Sequence, residues 1–192
     1  MRKALLGLTA LVACAGCGGN AAKPEFRGQE LSPPQAAPSF TLTDQQGRRV
    51  SMASARGHYA VVTFLYTHCP DVCPVIAGNL NRALASSTAR QAGLRVLAVS
   101  VDPRRDTSAT VRRYAREHRL RPAFRYLIGT RAELAPVWRA FHVAAAPGPA
   151  GTVSHSTFEI LVDPEGKERL IYDAQATAAD FVHDLALLQD DG

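Results

Sequence analysis

The residues of this chain best suited to chemistry are Cys69 and Cys73, four apart in the segment Tyr66-Thr67-His68-Cys69-Pro70-Asp71-Val72-Cys73-Pro74. A thiol acts as a nucleophile or a soft-metal ligand only as the thiolate. Downstream, Ile76, Leu80 and Leu84 recur at helical spacing and predict a helix over Val75–Leu84. If that helix begins near Pro70, where proline is tolerated in the first turn, both sulfurs lie on one side of it. They then sit at the positively polarised helix N-terminus, which favours the thiolate. Such a pair serves redox exchange and metal binding alike. A plain structural disulfide fits less well, because the flanking prolines and the strand-to-helix setting suit a reactive site.

Two thiolates leave a metal under-coordinated. The remaining histidines are His58, His68, His118, His142, His155 and His183. His68 adjoins Cys69 and is expected to be exposed, tuning the thiol rather than ligating. His58, His118, His142 and His183 show no ligand spacing to the cysteines. His155 ends the loop Gly148–His155 before a strand; taken alone it reads as a surface histidine. Ser154-His155-Ser156 has no carboxylate partner that would make a hydrolytic triad, and the chain holds no glycine-rich phosphate loop.

The elements that must position these groups follow from periodicity and turn chemistry. Phe40–Thr43 and Arg49–Ser51 are strand-like pieces around the turn Asp44–Gly47. Tyr59–Tyr66 and Leu94–Val101 are nearly continuous apolar, β-branched runs, as expected of strands covered on both faces. Asp106-Thr107-Ser108 can cap a helix running to His118. Phe124–Ile128 reads as a strand, and Ala132–Phe141 as a helix with Trp138 on its apolar face. Thr157–Val162 and Glu168–Tyr172 are strands joined by the turn Asp163–Lys167, and Thr177–Leu188 closes the chain as a helix. This order predicts an α/β fold with a mixed sheet. It matches a thioredoxin-like fold with an added N-terminal β-hairpin and a C-terminal hairpin plus helix. That fold brings the loop of His155 up beside the cysteine pair. A flavodoxin-like fold is the alternative, but it does not need the terminal hairpin.

Composition bounds the rest. The 192 residues, 46% hydrophobic and 20% charged, fit one domain with a tail. Of the net charge of +5, two charges are Arg2 and Lys3 in the leading segment. The remaining surplus has no basic block with interleaved aromatics, which argues against a nucleic-acid partner. Arg2 and Lys3 precede a short apolar run, Ala4–Ala13, too short to span a bilayer as a helix. It ends in Leu11-Val12-Ala13-Cys14, which resembles a bacterial lipobox and makes Cys14 the expected lipid anchor; Cys17 is the alternative. Residues 1–17 then form a lipoprotein signal and anchor, 18–38 a flexible linker rich in Gly, Ala, Pro and Gln, and 39–190 the folded domain. The domain is expected outside the cytoplasm, held to the membrane at the periplasmic face of a bacterial cell. It retains one close cysteine pair there, which is no disulfide scaffold.

The chain resembles the Sco/SenC family of copper chaperones for cytochrome c oxidase. The matching residues are Thr67-His68-Cys69-Pro70-Asp71-Val72-Cys73-Pro74, Ser100-Val101-Asp102-Pro103 with Arg105-Asp106-Thr107, His155-Ser156, and Leu161–Lys167. They run in the right order from about Phe40 to the last helix. The resemblance implies a thioredoxin-like domain whose metal ligands are Cys69, Cys73 and His155. It implies copper, as Cu(I) or Cu(II), and delivery of that copper to an oxidase subunit or upkeep of its thiols. The family commonly carries Asp before the histidine; Ser154 stands here, so the imidazole lacks a neighbouring carboxylate. The alternative is a thiol–disulfide oxidoreductase using Cys69 and Cys73 as a redox-active pair. Against it, common thioredoxin-like reductases have two residues between their cysteines and a proline where Ser156 stands.

Overall fold

The computed structural model describes residues 25–149 and 152–190. The expected leader, with Cys14 and Cys17, lies outside them. The fold is α/β and thioredoxin-like. One eight-stranded mixed sheet is built from β1 (Gln29–Ala36), β2 (Thr41–Asp44), β3 (Arg49–Ser51), β4 (Ala60–Leu65), β5 (Arg95–Ser100), β6 (Phe124–Ile128), β9 (Phe158–Val162) and β10 (Lys167–Asp173), while β7 (Ala145–Pro147) and β8 (Val153–His155) form a separate two-stranded sheet. The large sheet runs in the order β1-β10-β9-β4-β5-β6-β2-β3. The β4, β5 and β6 strands are parallel neighbours; every other pairing is antiparallel. The helices are α1 (Val72–Ala83), α2 (Ser87–Gln91), α3 (Ser108–Glu117), α4 (Arg131–Ala140) and α5 (Ala178–Asp190).

Every residue of β4 is buried, and β5 is buried from Val96 onward. That burial is what their unbroken apolar runs require, since a strand with one wet face would alternate. Helices α1 and α2 each pack on α5, and α3 lies against β6. The capping expected at Thr107 is present: its side chain accepts from the Thr110 amide, and the Thr110 side chain returns the bond.

The expected linker 18–38 is corrected over Gln29–Ala36, which is strand β1 on the edge of the sheet beside β10. It is exposed along nearly its whole length, so no apolar alternation marks it. Pro33 and Pro34 cannot donate to a ladder, and the pairing register shifts between Glu30 and Gln35, as an edge strand tolerates. What docks it is a buried carboxylate. Asp184, wholly buried in α5, accepts from the amides of Arg27 and Gly28 at 2.8 Å each and from the Tyr172 hydroxyl at 2.9 Å. A Cβ at position 28 would lie 2.7 Å from the Tyr172 ring, so this close approach needs glycine. Sequence periodicity also passes over the short helix α2, whose Ser86 cap accepts from the Ala89 amide.

Glu159 is a second buried carboxyl, 1% exposed in β9, with only Thr63 as a hydrogen-bond donor at 3.3 Å. Burial raises it from an ordinary 4.5 to about 8, opposed by Thr63 and assisted by the charge of Asp173. The folded state thus keeps a proton that the unfolded chain releases. Stability from this group falls as pH rises through the window from about 4.5 to about 8, and the penalty is complete above it. Replacing Glu159 by Gln is expected to stabilise the chain by a few kcal/mol, order of magnitude, at pH 8 and hardly at all near pH 4. Urea unfolding at both pH values checks this; equal effects at the two would contradict it.

Candidate metal and redox centre

The carboxyl end of β4 is where the site is assembled. Tyr66 and Thr67 continue from the strand, and the chain turns at Cys69, whose amide donates to the Tyr66 carbonyl at 3.3 Å. Helix α1 starts at Val72, with Asp71 in the cap position and no side-chain capping bond. The expectation of a start near Pro70 is corrected: Cys73 is in the first turn, but Cys69 stands in the loop ahead of it. The sulfurs are nonetheless brought together. The Cys73 amide donates to the Cys69 sulfur at 3.4 Å, and both thiols are free.

The two thiols differ in surroundings. Cys73 is fully buried. Burial and its hydrogen bond to Cys69 push its thiol far above the ordinary range, against a lowering backbone bond at Tyr66. Cys69 is half-buried. Burial pushes its thiol up as well, but hydrogen bonds from the Cys73 thiol, the amides of Asp71 and Cys73 and the Tyr66 hydroxyl together outweigh it, and the thiol lies below its ordinary value. The amides do at close range what the helix terminus was expected to do.

His155 closes β8, on a hairpin whose composition, rich in Ala, Gly and Pro, hid its two strands from sequence reading. Its Nδ1 is 2.8 Å from the Ser156 carbonyl oxygen. A carbonyl can only accept, so Nδ1 carries the proton and Nε2 presents its lone pair. Burial lowers the imidazole below its ordinary value, the Ser156 carbonyl opposing this, which keeps the ring neutral and able to ligate.

Tyr66 stands between these parts. Its ring packs edge-on to His155 with centroids 5.8 Å apart, and its hydroxyl reaches Cys69 and the backbone of Val153. Among the described residues, no three His, Cys, Asp or Glu side chains are close enough together to hold a metal ion as they stand. The structure therefore pairs Cys69 with Cys73 and sets His155 across Tyr66 from them. His68 is exposed, its Nδ1 3.0 Å from the Thr67 hydroxyl.

Asp106 holds this end of the sheet. It accepts from the Thr67 amide at 3.0 Å, the Thr67 hydroxyl at 2.6 Å and the Ser100 hydroxyl at 2.6 Å. Burial raises its carboxyl in spite of these donors. The sequence places Asp106 in a helix-capping segment and Tyr66 at the end of a strand covered on both faces; both also touch the site. The Ser100–Thr107 motif was the available signal for Asp106. Nothing local marked Tyr66 beyond its position next to the cysteine loop.

A parallel β-α-β core closed by an antiparallel hairpin and helix, with a dithiol at the end of its first parallel strand, defines a thioredoxin-like domain. The SCO1/SenC family model matches residues 28–189, and the chain belongs to that family. It is 31% identical over 148 residues to the human mitochondrial SCO1 homolog, covering 73% of this chain and 48% of that protein. The chain spans about half the length of the curated relatives it matches. The structure of Bradyrhizobium japonicum ScoI with copper bound is 32% identical, with a TM-score of 0.69, covering 79% of this chain and 98% of that one. BsSco, described with a disulfide switch and as a member of the Sco family of cytochrome c oxidase assembly proteins, is 25% identical with a TM-score of 0.68, covering 83% and 97%.

The asymmetry of the thiols has a direct test. At pH 7, Cys69 is expected to react with iodoacetamide at least about ten-fold faster than Cys73, each followed by peptide mass spectrometry. Tyr66→Phe removes a donor to the Cys69 sulfur and is expected to slow its alkylation by about two- to five-fold. Equal rates at the two cysteines would contradict the assignment.

Proposed function

We propose that this chain binds copper as cargo through Cys69, Cys73 and Nε2 of His155, and passes it to the copper-receiving subunit of cytochrome c oxidase. The observation that carries this reading is the adjacent dithiol with a neutral imidazole, its Nε2 lone pair free, one aromatic ring away. Two thiolates and an imidazole form a soft, low-coordinate set suited to Cu(I); Cu(II) would take a further ligand or water. The hairpin bearing His155 closes past Tyr66 to make the third bond. Membership of the family and the copper-bound relative support the reading.

The unequal thiols favour a second function at the same atoms. A Cys69 thiolate attacks a partner's disulfide, forming a mixed disulfide and releasing one partner thiol. Cys73 then attacks Cys69, leaving a Cys69–Cys73 disulfide and a reduced partner. This is a thiol–disulfide oxidoreductase, able to keep the recipient's cysteines reduced, and it tolerates the loss of His155 better than copper delivery does.

Copper titration of the reduced full-length chain carrying Cys17→Ser separates the two. One tightly bound copper per chain is expected, lost in Cys69→Ala and Cys73→Ala and weakened in His155→Ala by at least the roughly ten-fold that losing a ligand's hydrogen-bond partner alone would cost. Binding at wild-type strength in His155→Ala contradicts the three-ligand site. Weak binding indifferent to His155, with fast disulfide exchange, replaces delivery with the oxidoreductase.

We further propose that the domain is held by a lipid on Cys14 at the periplasmic face of a bacterial cell membrane. No helix among the described residues is long and apolar enough to cross a membrane. Cys14→Ser is expected to release the protein to the soluble fraction and abolish lipid labelling. Unchanged labelling there, with loss in Cys17→Ser, would move the anchor to Cys17.

A further inference from the structure

A groove of about 860 Å³ opens between the loop after β5, the start of α4 and the β7–β8 hairpin. Val101, Trp138, Ala145 and Val153 give it apolar walls, and Arg104 and Arg131 stand exposed beside them. Three guanidinium groups line it against one carboxylate, Asp102, and that carboxylate is already paired with Arg105. Among the described residues, Arg104 and Arg131 have no ion-pair partner. The Arg131 guanidinium lies 6.0 Å over the Trp138 ring, which keeps a cation beside the apolar wall.

The groove and the metal and redox centre share Tyr66. Arg105, on the groove, stands 6.0 Å over the Tyr66 ring, and Val153, also on the groove, meets the Tyr66 hydroxyl through its backbone. The same hydroxyl reaches Cys69, and the same ring packs on His155. The groove and Cys69 are thus joined through one aromatic side chain, that of Tyr66.

We propose that this groove docks an acidic, extended segment of the copper-receiving protein, with apolar side chains against Trp138 and carboxylates on Arg104 and Arg131. Side chains alternate along an extended chain, so one strand can offer both chemistries. Docking there brings the recipient's own ligand to Cys69 for exchange. The proposal rests on the delivery reading, and its test separates the two.

Trp138 is the chain's single tryptophan, so its emission reports on the groove. The full-length chain is titrated with a hexapeptide of alternating aspartate and leucine. Saturable change in Trp138 emission is expected, weakening steeply with salt. The double variant R104E/R131E is expected to weaken binding at least about ten-fold, and R104K/R131K to retain most of it. The lysine–leucine counterpart is expected not to bind. R104E/R131E is also expected to load copper as the wild type does. Emission unmoved by the acidic peptide, equal affinity for the basic one, or equal affinity in R104E/R131E would overturn the groove assignment. So would a response to phosphatidylglycerol vesicles without one to the peptide, which would make the groove a lipid site. Failure of the copper site shows instead as loss of copper binding with peptide binding intact.

Discussion

The buried carboxylate of Asp106 joins the carboxyl ends of β4 and β5, and the rest of the centre is built on that joint. Its oxygens take the amide and hydroxyl of Thr67 and the hydroxyl of Ser100. Thr67 is two residues from Cys69, so the turn that carries the first sulfur starts from a tethered point. The loop that supplies Asp106 also supplies Arg105 and a wall of the groove. A buried carboxylate without such donors would be costly, and each donor lost would leave a polar group unpaired at about 1–3 kcal/mol. The same loop thus sets cysteine position, Tyr66 surroundings and groove shape together.

From that joint the two sulfurs are driven apart in character. Cys73 enters the core with α1 and loses the solvation a thiolate needs. Cys69 stays in the turn, where amides and the Tyr66 hydroxyl converge on its sulfur. One thiol is thereby open to partners and the other held in reserve beneath it. That arrangement serves ligand exchange of a soft metal and thiol exchange equally, which is why the two proposed activities share atoms and differ in their need for His155.

The central strands were legible because burial on both faces forces unbroken apolar, β-branched runs at Tyr59–Tyr66 and Leu94–Val101. Helix α3 was legible because Thr107 begins it with capping chemistry, and α4 because an apolar face carrying Trp138 runs along it; the Thr130 cap that starts α4 is seen only in the structure. Strand β1 was not, because an exposed edge held by Asp184 and a Tyr172–Gly28 contact leaves no pattern within its own residues. The cysteine pair and its place after a buried strand could be read directly. The start of α1 at Val72 could not, since Asp71 makes no side-chain cap that would mark it; nor could the hairpin under His155, whose Ala, Gly and Pro composition hides its strands; nor the position of Tyr66 between histidine and cysteine, which joins residues far apart in the chain.

His155 is the residue on which the account turns, because the structure sets it across Tyr66 from the sulfurs and copper delivery requires it at the metal. X-ray absorption at the copper edge of the loaded full-length chain counts the scatterers directly. The account expects two sulfurs and one imidazole nitrogen, with the nitrogen absent in His155→Ala. A wild-type spectrum with sulfur alone, unchanged by His155→Ala, would contradict it.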